Sequence, residues 1–196
     1  MTMAIIAAVA IGYLLGSIPF GLVLTRLAGL GDVRKIGSGN IGATNVLRTG
    51  NKSLAALTMA LDIGKGAAAA LIGATWSEHA MLAAAAAVIA GHIFPVWLGF
   101  HGGKGAATAL GVVIVISWPV AVLGFAVWLG VLILTRYSSL AALLATVAAV
   151  IYAGFTVDPA RAALIAAVAV GIILRHHENI RRLIAGTESR VSFRKS

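Results

Sequence analysis

The chain has 196 residues, of which 60% are hydrophobic and 11% charged, with a formal net charge of +9 and no cysteine. Soluble domains carry about a quarter charged residues, so this composition excludes an ordinary soluble protein and points to the membrane. The missing cysteines remove disulfides, thiolate metal sites and a thioester-forming nucleophile, and the excess of Lys and Arg suits loops facing anionic lipid heads better than it suits nucleic acid.

In chain order, residues 3–25 are apolar and uncharged. No basic residue precedes them, and a cleavable signal peptide would have a basic start and a shorter apolar core, so they read as a retained span. Residues 53–75 form a second span, interrupted by Asp62 and Lys65, and residues 79–100 a third. Residues 106–135 are uncharged but too long for one ordinary span of about 20 residues, with Ser117-Trp118-Pro119 in their middle. Residues 139–156 and 160–174 complete the series.

Parity resolves the long stretch. Proline fits a turn better than a helix interior, so residues 106–135 are expected to make two short helices turning at Pro119. The prediction is an all-α, polytopic membrane protein, one domain over residues 1–196. It has seven transmembrane helices (two of them short), with the N-terminus outside and the C-terminus cytoplasmic. Arg26, Arg34, Lys35, Arg48, Lys52, Lys104, Arg136 and the tail (Arg175, Arg181, Arg182, Arg190, Arg194, Lys195) then share the cytoplasmic side, with Arg161 alone outside. A single helix over residues 106–135 would invert the tail against the positive-inside bias. Every polar, glycine-rich segment falls on that same side, which suits an interfacial enzyme in the cytoplasmic (inner) membrane better than a conduit.

The most unusual segment is KIGSGNIGATNVLR at 35–48. It formally contains GxGxxG, but a dinucleotide fingerprint requires a preceding strand in a βαβ unit, and here a membrane helix precedes it. Successive glycines free backbone N–H groups to form an anion nest, so Gly37, Gly39 and Gly42 are candidate backbone donors. Ser38, Asn40, Thr44 and Asn45 add neutral donors, and Arg48 can grip a phosphate with two parallel hydrogen bonds. Gly102-Gly103-Lys104-Gly105 precedes the fourth span and is a second candidate phosphate seat, with Gly103 in the loop and Lys104 as the point charge. It is not a Walker motif, because Gly105 stands where Ser or Thr is required.

Asp62 and Lys65 share a helix face and can neutralise each other. Ionisable residues within a span are functional candidates, and a structural pair near the interface is the equal alternative. His92 lies near the end of the third span, where a lone histidine is more often structural. His176 and Asn179, three residues apart, present one polar face at the end of the last span. A helix-capping role is their alternative. No HExxH, paired carboxylates or HxxxxD occur, and no metal or other cofactor is implied.

SIPFG at 17–21, GSGNIGATNVLR at 37–48, DIGKG at 62–66, GHIFPVWLGFHGGKGAAT at 91–108 and RHHENIRRLIAGTE at 175–188 form an ordered series. It resembles the motifs of the bacterial acyl-phosphate-dependent glycerol-3-phosphate acyltransferases, the PlsY family. The resemblance runs from Ser17 to Glu188 and implies a seven-helix inner-membrane enzyme of phospholipid synthesis. Such an enzyme transfers a fatty acyl group from acyl phosphate to the 1-hydroxyl of glycerol 3-phosphate, giving lysophosphatidic acid and phosphate. It extends the phosphate site to Lys104 and Ser139 and gives His176 and Asn179 the task of holding glycerol 3-phosphate. The implied partners are the two substrates, the lipid bilayer and the enzyme that produces acyl phosphate. The competing class is a small-anion or phosphate carrier, which would also use glycine loops and buried cations. Against it, charge within the spans is nearly confined to Asp62 and Lys65.

Overall fold

The computed structural model describes residues 1–192, and the regular structure among them is entirely helical. Arg194 and Lys195, expected on the cytoplasmic side, lie outside the described residues. The chain divides into two compact units, Met1–Val115 and the residues from Ile116 onward.

The first unit begins with α1 (Thr2–Ser17) and α2 (Phe20–Leu27). The expected first span is therefore broken at Ile18-Pro19. Pro19 lacks an N–H and disfavours a helical conformation in the residue before it, and Ile18 is extended at φ −68°, ψ 113°. A polar loop with a single 3-10 turn at Val33–Lys35 leads to the short α3 (Ala43–Leu47) and the long α4 (Lys52–Ala74). Asn51 caps α4 by accepting from the Leu54 N–H at 2.9 Å. Ser77 caps α5 (Glu78–Ile93) by accepting from Ala80 N–H at 3.1 Å, satisfying donors that a helix start leaves unpaired. The helix of the third span ends at Ile93, because Pro95 restricts Phe94, and a 3-10 turn at Val96–Leu98 follows, so that the apolar span runs Glu78–Leu98. α6 (Ala106–Ile116) closes the unit.

Small residues let these helices touch backbone to backbone. A Cβ on Gly16 of α1 would strike the Val88 carbonyl of α5, and one on Gly91 of α5 would strike the Tyr13 carbonyl of α1. Gly66 of α4 and Gly111 of α6 approach each other's helix in the same way, through the carbonyls of Thr108 and Ile63. In a bilayer, where lipid is as apolar as leucine, such close van der Waals packing is what draws helices together.

The second unit contains α7 (Trp118–Thr135), α8 (Ser138–Thr156), α9 (Pro159–Arg175) and α10 (His177–Ile184). α7 packs on α8 and α8 on α9, while α10 touches both α8 and α9. Asp158 caps α9 by accepting from the N–H groups of Ala160 and Arg161, each at 3.0 Å. The chain bends by 59° between α9 and α10. Residues 190–191 return to the start of α8: Val191 N–H donates to Arg136 O at 2.8 Å, and the Arg190 guanidinium lies 5.1 Å from the Tyr137 ring centroid.

The expected break within residues 106–135 is present, at Ser117 rather than Pro119, with Pro119 in the first turn of α7. Only one of its two helices is short. α7 has 18 residues, whereas α6 has 11, about 16 Å of helix against a hydrocarbon core of about 30 Å. Among the described residues, five spans are long and apolar enough to cross a bilayer, or six when the bent α9–α10 pair is taken as one. Large apolar side chains such as Phe155 (87% exposed) and Leu134 (84%) stand on the outer surface, as lipid-facing residues do.

Candidate active site

The loop before α4 is organised by one side chain. Asn45 is buried, and its Oδ1 accepts from Ser38 N–H at 3.1 Å and from the Arg48 guanidinium at 3.2 Å. Its Nδ2 donates to the carbonyls of Val33 (2.7 Å), Ile36 (3.1 Å) and Asn40 (2.7 Å). Asn40 Oδ1 accepts from Gly42 N–H at 2.8 Å, and Gly39 N–H donates to Ile36 O at 3.0 Å. The N–H groups of Ser38, Gly39 and Gly42 thus donate within the loop, and Asn40 Oδ1 and the Asn45 side chain help to hold it together. An amide carries both donors and an acceptor, which is why asparagine can tie five strands of one loop's hydrogen bonding where an alcohol could not.

Gly37, Ser38, Gly39, Thr44 and Arg48 are the exposed members of the candidate set, and the polar side chains among them are those of Ser38, Thr44 and Arg48. Gly37, at φ +53°, lies against Arg48: a Cβ there would come within 2.6 Å of Arg48 Cδ and 2.5 Å of Asn45 Oδ1. Asp32, overlooked in the sequence reading, anchors the loop's front edge. Its carboxylate meets Arg34 at 2.6 Å and Arg26 at 3.0 Å and accepts from the Arg34 N–H. The Arg34 side chain, followed by the lesser contribution of Arg26, holds its carboxyl well below the usual carboxylate range. An acid just before a basic, glycine-rich segment was the available signal.

The Gly102–Gly105 loop is built differently. Its Gly102 and Gly103 N–H groups donate to Ile93 O at 3.1 Å and His92 O at 3.0 Å. They occupy the last carbonyls of α5, which a helix end otherwise leaves unpaired. A Cβ on Gly103 would strike His92 Nε2, so the imidazole ring lies directly under the loop. Lys104 follows, half-buried, one residue before the helical turn that Gly105 opens at φ +86°.

His92 itself is buried with Nδ1 3.1 Å from Thr108 Oγ1 and 3.7 Å from Asp62 Oδ1. Asp62 and Lys65 lie near the middle of α4. Lys65 Nζ is 2.7 Å from Asp62 Oδ1 and donates to Ile18 O at 2.9 Å, the carbonyl at the α1–α2 break. No well-aligned hydrogen bond reaches Asp62 Oδ1, so charge at contact distance is what binds the pair.

In the second unit, His176 sits buried at the α9–α10 bend, with Nδ1 2.8 Å from Ile172 O. A carbonyl only accepts, so Nδ1 carries the proton and Nε2 is the acceptor of the neutral ring. Ser139 and Asn179 converge on a residue absent from the sequence-derived site. Glu188 Oε1 accepts from Ser139 Oγ and Asn179 Nδ2, both at 2.6 Å, and its Oε2 accepts from Arg182 Nε at 2.7 Å. Burial pushes this carboxyl up, but the hydrogen bonds from Ser139, Arg182 and Asn179 together outweigh it and hold Glu188 below its ordinary value. Glu188 is one of only six acidic residues in the chain and ends the last motif, which was the signal for it.

The arrangement offers cations and hydroxyls in the first unit, and an oriented imidazole with a carboxylate-anchored amide in the second. Both sets suit binding and orienting anionic, hydroxylated substrates. The model of the family described as glycerol-3-phosphate acyltransferase matches residues 6–186. A glycerol-3-phosphate acyltransferase of Brucella canis is 57% identical over 187 residues, 95% of this chain and 93% of that one. Another, of Mesorhizobium japonicum, is 55% identical over 191 residues, 97% of this chain and 98% of that one. Among solved structures, the crystal structure of PlsY, an integral membrane glycerol 3-phosphate acyltransferase, matches in its glycerol 3-phosphate form with a TM-score of 0.91, 41% identity and coverage of 96% of both chains. The lysophosphatidic acid form matches with a TM-score of 0.88, 40% identity and coverage of 96% of this chain and 95% of that one.

Proposed function

The chain belongs to the glycerol-3-phosphate acyltransferase family and is a multi-pass membrane enzyme, and from that premise we propose the reaction in full: it moves a fatty acyl group from acyl phosphate to the 1-hydroxyl of glycerol 3-phosphate. The products are lysophosphatidic acid and inorganic phosphate. The observation that carries this reading is the match at 41% identity, across 96% of both chains, to the glycerol 3-phosphate form of PlsY.

In this mechanism the glycerol oxygen forms a bond to the acyl carbon, and the bond from that carbon to the phosphate oxygen breaks, with the phosphate keeping the electron pair. Acyl phosphate is already activated, so no covalent acyl-enzyme is needed, in keeping with a chain that has no cysteine. The protein's task is positioning and charge stabilisation. Ser38, Thr44, Arg48 and Lys104 hold substrate phosphate, with Asn40, Asn45, Gly37, Gly39, Gly42 and Gly103 shaping the loops that carry them. His176, Asn179 and Ser139 serve glycerol 3-phosphate, whose own phosphate takes the hydroxyl proton. The His176 Nε2 lone pair is the competing base, and His176→Gln separates the two. A positioning role raises KM and leaves the pH profile unchanged, whereas a base lowers kcat by about 10²-fold or more and removes the acidic limb.

Both sets of residues face the cytoplasm, and the chain is a single membrane domain that crosses the inner membrane seven times. α6 supplies the seventh crossing, and the acyl-phosphate-producing enzyme is the source of donor. The test is purified protein in detergent supplied with acyl phosphate, acyl-CoA or acyl carrier protein in separate reactions. Lysophosphatidic acid and phosphate formed one-to-one from acyl phosphate alone supports the reading, and equal turnover with acyl-CoA overturns it. For topology, cysteines placed at Arg48 and Ser189 should label only from the cytoplasmic side and one at Asp158 only from outside; outside labelling of Ser189 overturns the seven-span count.

A further inference from the structure

The buried polar side chains among the helices of the first unit include Ser17, Asp62, Lys65, His92 and Thr108, none more than 5% exposed. The reaction above gives none of them a task. Four form a continuous path. Lys65 holds the Ile18 carbonyl at the α1–α2 break and pairs with Asp62. Asp62 faces His92 Nδ1, and Thr108 of α6 meets the same nitrogen. The other edge of the ring bears on Gly103, whose N–H is bonded to the His92 carbonyl. The path thus ends beneath the backbone one residue before Lys104. A charged pair in an apolar span is costly to bury and is retained where it fixes something.

We propose that Asp62, Lys65, His92 and Thr108 are a positioning network that fixes the height and tilt of the Gly102–Lys104 backbone, and so sets where the Lys104 ammonium meets substrate phosphate. Thr108 holds the ring's rotation from α6 through Nδ1, and the Asp62 carboxylate, paired with Lys65, sets the charge that the ring faces from α4. Gly103 lets the ring reach the loop, because any side chain there would occupy the ring's place. This inference rests on Lys104 being a phosphate ligand, and its test is arranged to fail separately from that assignment.

The experiment is a double-mutant cycle on the full-length enzyme in detergent, with His92→Ala and Lys104→Ala assayed for kcat and for the KM of each substrate. Lys104→Ala alone should lower kcat/KM by at least 30-fold; no loss would overturn the Lys104 assignment itself. His92→Ala should lower kcat/KM by 10-fold or more, mainly by raising the KM of the same substrate whose KM Lys104→Ala raises. In the His92→Ala background, Lys104→Ala should then cost less than 5-fold, because an ammonium held in the wrong place has little left to lose. Two losses that multiply in full would overturn the positioning network while leaving Lys104 a ligand. Should His92→Ala fail to fold, Thr108→Val keeps the volume and removes only the hydroxyl at Nδ1. It should show the same KM-weighted loss and the same weakened dependence on Lys104, with Thr108→Ser restoring both. Wild-type constants in Thr108→Val would overturn the proposal.

Discussion

The two glycine-rich loops of the first unit carry the same kind of residue to the same kind of task, yet they are built by opposite means. Residues 32–48 are tied by their own side chains: Asn45 and Asn40 bond the loop to itself, and Asp32 fixes its leading edge. Residues 102–105 lean on the end of α5 through His92 and Ile93, and His92 is bonded to Thr108 of α6 and faces Asp62 of α4. A locally built loop should respond to changes within a few residues and ignore the rest of the unit. A loop built on a neighbour should respond to changes deep in the apolar layer.

The largest expected effect tests the second loop. Lys65→Met removes one partner of a buried ion pair and leaves Asp62 uncompensated, at a cost of about 3–5 kcal/mol. Thermal unfolding in detergent should show it, and Asp62→Asn combined with Lys65→Met should recover most of the loss. Both forms should also bind substrate phosphate less well, since the charge that the His92 ring faces is altered. Unchanged unfolding in the single variant would remove the pair from the account of this loop.

Next is the first loop. Arg48→Ala should cost about 2–4 kcal/mol in transition-state stabilisation, roughly 30- to 1000-fold in kcat/KM, with little change in unfolding. Asn45→Ala should instead destabilise by about 2–3 kcal/mol, since three carbonyls lose a buried donor. It should lower activity through the displacement of Arg48, so that the double variant is no slower than Arg48→Ala alone. A fully multiplicative loss would mean that Asn45 touches substrate directly.

The C-terminal cluster offers a third way to build a site, around a carboxylate, and its stability depends on pH. The Glu188 carboxyl is lowered in the folded protein, so its contribution is present above its unfolded value of about 4.3 and fades as pH falls through the lower folded value. Glu188→Gln should therefore be less stable than wild type at pH 7, by about 1–2 kcal/mol for the lost charge-assisted hydrogen bonds. The two melting curves should converge only once the pH has fallen below the lowered folded value. A difference that persists unchanged into acid would assign the effect to shape rather than charge.

The helices were largely legible because they are long and uniformly apolar: α4, α8 and α9 begin and end within a residue of the expected bounds. The break at residues 18–19 was not, because an isolated proline near the end of an apolar run leaves the hydropathy undisturbed. The identities in both loops were legible as polar and glycine-rich, but their direction was not. Whether an N–H points at a ligand or at a neighbouring carbonyl depends on φ and ψ, and composition carries neither. Asn45 looked like a ligand because amides bind anions, and its burial is visible only once residues 33, 36 and 40 are folded round it. Glu188 was hidden by distance, since its partner Ser139 lies 49 residues away.

The smallest effect separates two glycines of the first loop. Gly37 and Gly39 both have left-handed backbones, at φ +53° and +69°, so alanine at either position costs about 1–2 kcal/mol in backbone strain. Their surroundings differ. A Cβ on Gly39 meets nothing closer than Arg34 O at 3.4 Å, while a Cβ on Gly37 meets Asn45 Oδ1 and the Arg48 side chain within 2.6 Å. Arg48 is long and exposed and can move aside at little cost in stability, but its guanidinium then leaves its place beside Asn45. Gly39→Ala should melt slightly earlier than wild type and keep kcat/KM within about 3-fold, because its N–H serves the loop and not the ligand. Gly37→Ala should melt earlier than Gly39→Ala, because buried Asn45 cannot move aside as Arg48 can, and should lose about 10-fold or more in kcat/KM. Equal activity in the two variants would mean that Arg48 acts from a position other than the one it holds against Gly37.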